Sequence, residues 1–293
     1  MGNLFGKTST SSDPFSANFP LKFSSTKFIK DSYSTFEELQ NALRRAGLES
    51  CQLIIGVDFT KSNEWQGGTE NGITYSSNQN LHYIHPHLAS FCGKLPELNP
   101  YQQVLSIMCE ALKPFDSDGK IDAYGYGDID TQGRAVFPFN YGDQPCNQLE
   151  GVLSRYNELA VGLMGRMSGP TSFVPIINKA IDIVTNKKEY HILIIIADGM
   201  VDDEEQSKKA IIRASKFPLS IICIGVGRGP WKLMEKFDDN ISGRDFDNFQ
   251  FVNFHKIMHM CENIPSEFAK HALMEIPEQL SYIKSHGLLN KYY

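Results

Sequence analysis

Three short runs of nearly unbroken aliphatic residues constrain this chain more than any other feature. They are Gln52-Leu-Ile-Ile-Gly-Val-Asp58, Tyr190-His-Ile-Leu-Ile-Ile-Ile-Ala-Asp198 and Leu219-Ser-Ile-Ile-Cys-Ile-Gly-Val-Gly227. Each is rich in β-branched residues, and none alternates apolar with polar as a half-exposed strand does. Such runs read as strands buried on both faces, which is the habit of a parallel sheet covered by helices. The text between them fits. Ser34-Thr-Phe-Glu-Glu-Leu-Gln-Asn-Ala-Leu-Arg-Arg-Ala-Gly47 has a capping hydroxyl, early acids, late arginines and a terminal glycine, so both helix ends are marked. Asn99–Phe115 and the segments 147–163, 175–186 and 203–216 read as further helices. Ile121-Asp-Ala-Tyr-Gly-Tyr-Gly127 reads as another strand, Gln250-Phe-Val-Asn-Phe254 as a short edge strand, and Ser266 to Leu289 as a helical tail. The expected fold is α/β: a three-layer, doubly wound, mostly parallel sheet with helices on both faces.

Residues 1–34 differ from the rest. Eleven are Ser or Thr and four are Lys, a composition that predicts a flexible N-terminal arm ahead of one domain at 35–293. With 28 Lys+Arg against 34 Asp+Glu, the net charge is −6. That balance argues against a nucleic-acid platform, which needs a basic face to displace counterions. No secretory signal or membrane-spanning run is legible. Cys51, Cys92, Cys109, Cys146, Cys223 and Cys261 are scattered, with no C-x-x-C pair to build a zinc site. Together these predict an intracellular, soluble protein.

In an open parallel sheet, ligands gather at the carboxyl ends of the strands. Two of the buried strands end there in an acid, Asp58 and Asp198. A lone aspartate at a strand end is ordinarily a cap or turn residue. Asp58, however, opens Asp58-Phe59-Thr60-Lys61-Ser62, where alternate residues of a tight turn can aim three oxygens one way. A second group of hydroxyls lies in Ser168-Gly169-Pro170-Thr171-Ser172. Two carboxylates with several hydroxyls make a hard oxygen site suited to Mg²⁺ or Mn²⁺. Asp128 also ends a strand, and reads as a turn residue. His82, His85 and His87 lack an evident fourth zinc ligand and read as polar loop histidines. Gly2-x-x-x-Gly6-Lys7-Thr8 is one residue short of a phosphate loop, and Gly225-Val-Gly-Arg-Gly229 ends on Pro230 where a dinucleotide fingerprint needs glycine.

Asp58-x-Thr60-x-Ser62, Thr171 in Ser-Gly-Pro-Thr and Asp198 in Ile-Ala-Asp-Gly resemble the metal-ion-dependent adhesion site of von Willebrand factor A domains. More narrowly, Gly56-Val-Asp-Phe-Thr-Lys-Ser-Asn63, Leu81-His-Tyr-Ile84, Asn99-Pro-Tyr-Gln102, Tyr124-Gly-Tyr-Gly-Asp128 and Ser168-Gly-Pro-Thr-Ser-Phe173 resemble the A domain of copines. That domain also occurs in plant RING-type ubiquitin ligases. Ala46-Gly-Leu-Glu-Ser50, Phe246-Asp-Asn-Phe-Gln-Phe-Val-Asn-Phe254 and Ala272-Leu-Met-Glu-Ile-Pro277 favour the ligase-like branch. The resemblance covers residues 35–285. It implies a Mg²⁺ site, with Mn²⁺ or Ca²⁺ as alternatives. Ser62 and Thr171 would face the metal, Asp58 and Asp198 would act directly or through water, and Thr60 would take the place of the usual first serine. The implied function is metal-dependent protein binding, in which a partner's acidic residue completes the ion's shell. The implied alternative is a part in protein ubiquitination. The paired C2 domains of copines and the RING of the ligases are not expected in this chain, so neither calcium-dependent phospholipid binding nor autonomous ligase activity is carried over. Gly2 is a candidate for N-myristoylation, although Gly6 stands where the motif prefers Ser or Thr. A single acyl chain would need Lys7, Lys22, Lys27 and Lys30 to hold a membrane. The expected location is the cytoplasm, with the inner face of the plasma membrane or the nucleus as alternatives.

Overall fold

The computed structural model describes residues 35–85, 97–199, 201–262 and 264–289. The predicted N-terminal arm, Gly2, the Gly6-Lys7 motif, His87 and Cys92 lie outside the described residues.

The core is a seven-stranded sheet. Its strands are β1 (Cys51–Asp58), β4 (Asp116–Tyr126), β5 (Phe137–Pro138), β6 (Cys146–Asn147), β7 (His191–Ala197), β8 (Leu219–Gly225) and β9 (Phe249–Asn253), while β2 (Gly68–Glu70) and β3 (Ile73–Ser76) form a separate antiparallel hairpin. The order is β5-β4-β1-β7-β8-β9, with β6 also paired to β4. β4, β1, β7, β8 and β9 run parallel, and only the short β5 and β6 are antiparallel. Every residue of β1, β7 and β8 is buried.

Side chains of successive residues leave a strand on opposite faces. Leu53, Ile55 and Val57 of β1, with Ile192, Ile194 and Ile196 of β7, enter one apolar layer. It also holds Leu39 and Leu43 of α1 (Phe36–Arg45), Val104 and Met108 of α2 (Pro100–Leu112), and Val152 of α3 (Gln148–Gly162). Ile54, Leu193 and Ile195 enter the other layer, with Ile176 and Ile177 of α4 (Val174–Lys187), Ile211 of α5 (Glu204–Ala214) and Met234 of α6 (Lys232–Asp239). α7 (Phe254–Met260), α8 (Pro265–Leu273) and α9 (Ile276–Ser285) complete the first layer. This is the doubly wound arrangement the aliphatic runs predict. Gly56 lets α4 settle on the sheet, since a Cβ there would stand 2.6 Å from Ile176 Cγ1.

The start of α1 is a capping box between Thr35 and Glu38, and that of α2 is one between Asn99 and Gln102 with Pro100 in the first turn. Three features depart from the sequence reading. The strand expected from Ile121 begins at Asp116. The helical tail is two helices, because Pro277 is confined to a first turn and starts α9. The β2–β3 hairpin, α6 and α7 carried no clear periodicity. Among the described residues, no helix is long and apolar enough to cross a membrane.

Candidate metal centre

Because β4, β1 and β7 are parallel, their carboxyl ends share one rim. Asp58 closes β1, and Asp198 follows β7 directly. Asp58 is fully buried and Asp198 nearly so. A chain of short polar contacts joins them. Asp58 Oδ1 accepts from the Thr60 amide at 2.8 Å, the Thr60 and Ser62 hydroxyls lie 3.1 Å apart, and the Ser62 hydroxyl donates to Asp198 Oδ1 at 3.0 Å. Thus three residues of one turn and a fourth from a strand far along the chain meet.

The third loop is stitched to the first. The Lys61 amide donates to the Ser168 carbonyl at 2.5 Å, and the Ser168 amide to the Gly127 carbonyl at 3.0 Å. Thr60, Ser62, Ser168, Thr171, Asp198 and Asp202 line one cleft of about 300 Å³. The structure therefore brings the predicted Thr60, Ser62, Thr171 and Asp198 to a single opening, with Asp58 beneath and bonded to Thr60.

Neither carboxylate is satisfied on both of its oxygens. Asp58 Oδ2 and Asp198 Oδ2 are both buried and without a hydrogen-bond partner. Burial, opposed by hydrogen bonds from Thr60, pushes the Asp58 carboxyl up to about 6. Burial and the neighbouring Asp58 charge push Asp198 well above the ordinary carboxylate range. Two like charges in a dry pocket disfavour ionisation, and a bound cation would invert that preference. The donor set fits a hard divalent ion. Among the described residues, no three His, Cys, Asp or Glu side chains form a metal cluster by themselves. Any ion here would need hydroxyls, water or an outside ligand to fill its shell.

Asp202 belongs to this rim, and the sequence reading missed it. Its carboxylate accepts from the Thr171 amide at 2.7 Å, while its own amide donates to the Thr171 carbonyl at 2.9 Å. Asp203 accepts from the Ser172 hydroxyl at 2.8 Å. The adjacent acids four and five residues after Asp198 were the available signal. Asp128 is the turn residue expected: its carboxylate accepts from the Thr131 amide at 2.9 Å and from the Thr131 hydroxyl.

His82 corrects the reading of a polar loop histidine. It is fully buried, stacked between Phe59 (ring centroids 4.5 Å apart) and Tyr101 (4.0 Å). Burial drives its pKa down to about 3, so the ring is neutral. Asn63, also fully buried, donates to the Thr60 carbonyl at 3.1 Å and accepts from the Tyr101 hydroxyl at 2.6 Å. His85 does stay at the surface, bonded to Ser77. The glycines at 225–229 serve a loop bound to the hairpin side, where Gln66 donates to the Gly229 carbonyl at 2.9 Å.

A copine family profile matches residues 80–292, and the chain belongs to the copine family. It is 46% identical to E3 ubiquitin-protein ligase RGLG2 of Arabidopsis thaliana over 267 residues, which is 86% of this chain and 53% of that protein. It is 46% identical to Copine family protein 2 of Caenorhabditis elegans over 260 residues, 88% of this chain and 3% of that one. With RGLG5 of Arabidopsis thaliana the identity is 46% over 281 residues, 90% of this chain and 60% of the ligase. The chain thus spans less than two thirds of the length of each of these relatives. Among solved structures, a von Willebrand factor type A protein from Catenulispora acidiphila matches with 15% identity and a TM-score of 0.42, over 76% of this chain and 43% of that one.

Proposed function

We propose that this copine-family chain is a metal-dependent protein-binding module. The Ser62 and Thr171 hydroxyls would hold Mg²⁺, with Thr60 beside them and with Asp58 and Asp198 acting directly or through water. Mn²⁺ and Ca²⁺ are the alternative ions. When bound, the ion supplies an electrophilic position that a partner's Asp or Glu can fill. The chain's own residues do the rest. The three loops fix the hydroxyls around the opening, and the buried carboxylates balance the ion's charge without saturating its shell.

The observation that carries this reading is the pair of bare carboxylate oxygens, one each on Asp58 and Asp198. Leaving one buried carboxylate oxygen unsatisfied costs about 1–3 kcal/mol, and a divalent cation offsets that cost. Calorimetric titration with Mg²⁺ tests it: the native chain should give a saturable heat that Asp58→Ala lacks. Identical heats would overturn the metal reading.

The relatives named as E3 ubiquitin-protein ligases favour a second reading, participation in ubiquitin transfer through a RING-bearing partner. We assign no ligase activity to the chain alone. Ubiquitin chains formed by the purified protein with only the activating and conjugating enzymes would overturn that assignment. We propose the cytoplasm as its location, with the inner face of the plasma membrane, if Gly2 is acylated, or the nucleus as alternatives. Mass spectrometry of the N-terminal peptide checks the acyl group.

A further inference from the structure

We infer that His82 is the positioning residue of the metal loop, holding it through the backbone carbonyl of Asp58. This inference rests on the metal reading above for its consequence, though not for its geometry.

His82 Nε2 lies 2.8 Å from the Asp58 carbonyl oxygen, and Nδ1 lies 2.8 Å from the Tyr156 hydroxyl. A carbonyl can only accept, so Nε2 carries the hydrogen and Nδ1 presents its lone pair. The Tyr156 hydroxyl must then donate to Nδ1. Its own oxygen accepts from Asn99 Nδ2 at 3.1 Å. Asn99 is fixed in turn, because its Oδ1 accepts from the Gln102 amide at 2.9 Å as the cap of α2. The hydrogen bonds therefore run one way, from the start of α2 through Asn99, Tyr156 and His82 to the carbonyl of Asp58. Every link is buried.

Only a flat ring with nitrogens on two edges can make both bonds while lying between Phe59 and Tyr101. Interplanar angles of 16° and 19° leave the ring little freedom to tilt. The segment before it is held as well, since Asn80 Oδ1 accepts from the His82 amide at 2.8 Å and the Leu81 amide donates to the Asn63 carbonyl at 2.9 Å. With the Asp58 carbonyl pinned from below, its carboxylate and the Thr60 and Ser62 hydroxyls keep their aim without a ligand in place. Such an arrangement lowers the reorganisation needed on binding.

The test uses the full chain in three variants: His82→Phe, which keeps the stack and loses both hydrogen bonds; Tyr156→Phe, a milder change that frees the tautomer; and Ile211→Ala, which weakens the opposite core layer. Two readouts are taken. The first is hydrogen exchange at the Thr60 and Lys61 amides without metal, and the second is Mg²⁺ affinity by calorimetry. His82→Phe should speed exchange at both amides and weaken Mg²⁺ binding, each by about tenfold, the effect of one lost hydrogen bond. Tyr156→Phe should move both readouts the same way by less. Ile211→Ala should lower the melting temperature and leave Mg²⁺ affinity unchanged. Equal effects on the two readouts from Ile211→Ala and His82→Phe would reduce His82 to a general core residue and overturn the inference. So would unchanged Thr60 exchange in both network variants. If the native chain gives no Mg²⁺ heat, the metal reading falls by itself, and exchange at Thr60 still decides the role of His82. Should His82→Phe fail to fold, Tyr156→Phe carries the same decision.

Discussion

Two pairs of acidic side chains with raised pKa stand out among the described residues, a fully buried one at the centre of the sheet's rim and a half-buried one beside its β9 edge. Asp58 and Asp198 form the first; Asp238 and Glu275 form the second. Burial raises all four. It pushes Asp238 up to about 8, with help from the Glu275 charge, and Glu275 up to about 7, with help from Asp247. By the direction of the pKa shift alone the two pairs look alike. They differ in what faces them. With its amide nitrogen turned toward Glu275, Gln250 donates to both carboxylate oxygens at 2.9 and 2.8 Å, and Asp238 accepts from the Phe251 amide at 3.3 Å. Among the described residues, neither leaves a buried oxygen bare, whereas Asp58 and Asp198 each do. A pair of acids with raised pKa is therefore no metal site by itself. Bare oxygens, hydroxyls from separate loops and an opening above them make the difference.

The sharpest way to break this contrast is to remove one acid from each pair. Asp58→Ala should weaken Mg²⁺ binding by more than about 100-fold, beyond the 10–100-fold typical of groups that only support a ligand. Glu275→Ala should leave Mg²⁺ affinity unchanged while lowering stability. Calorimetry on both variants checks this, and a comparable loss in Glu275→Ala would erase the distinction.

The pH dependence separates the pairs next. A carboxyl whose folded pKa is raised binds more protons folded than unfolded, so stability is full below the unfolded pKa and falls as pH rises through the folded one. In chelator, unfolding free energy should fall from about pH 4 to about pH 8, as Asp58 titrates near 6, Glu275 near 7 and Asp238 near 8. Saturating Mg²⁺ should cancel the loss from the rim pair, since the ion favours the charged form. Glu275→Gln should flatten the upper part of the profile whether or not metal is present. Denaturant melts across this range, with and without Mg²⁺, read both effects. A profile that Mg²⁺ leaves untouched would contradict the assignment of the rim pair.

The contrast also explains what was legible in the sequence. The rim site could be read because its members follow from strand ends and short-range spacing: Asp58 and Asp198 close aliphatic runs, and Thr60 and Ser62 sit at alternate positions of one turn. The main layers could be read for the same reason, as β1, β7 and β8 are aliphatic throughout. The supporting network could not. His82 sits in Leu-His-Tyr-Ile-His-Pro-His, which looks like a polar loop, and only tertiary packing buries it between Phe59 and Tyr101. Tyr156 and Asn99 lie on other elements, 74 and 17 residues away in the chain. Asp202 escaped because its partner, the Thr171 amide, is brought near only by the fold. The tail is helical as its pattern predicts, but Pro277 fits only a first turn and so divides it into α8 and α9.

A smaller effect concerns the threonine at position 60. Gly127 has φ +89, and a Cβ there would fall 2.3 Å from Thr60 Cγ2. The extra methyl of Thr60 is thus accommodated by a glycine on the neighbouring strand end. Gly127→Ala should cost about 1–3 kcal/mol through strain and crowding. Adding Thr60→Ser should recover part of it, because the atom first struck is gone. A double-mutant cycle by thermal melts measures the coupling, and strict additivity would show that Gly127 serves only its own backbone.

The smallest predicted effect falls on Asp202, whose charge reaches the rim pair from one loop away and raises the Asp58 pKa. Asp202→Asn keeps an oxygen for the Thr171 amide and removes only that charge. At a partly solvated rim, one unit charge is worth about 1 kcal/mol to a nearby cation, so Mg²⁺ affinity should fall about fivefold and the melting temperature in chelator should rise slightly. A loss as large as that of Asp58→Ala would make Asp202 a ligand rather than a neighbouring charge. Unchanged affinity would mean that solvent screens it fully, leaving the Asp58 and Asp198 carboxylates as the whole anionic share of the site.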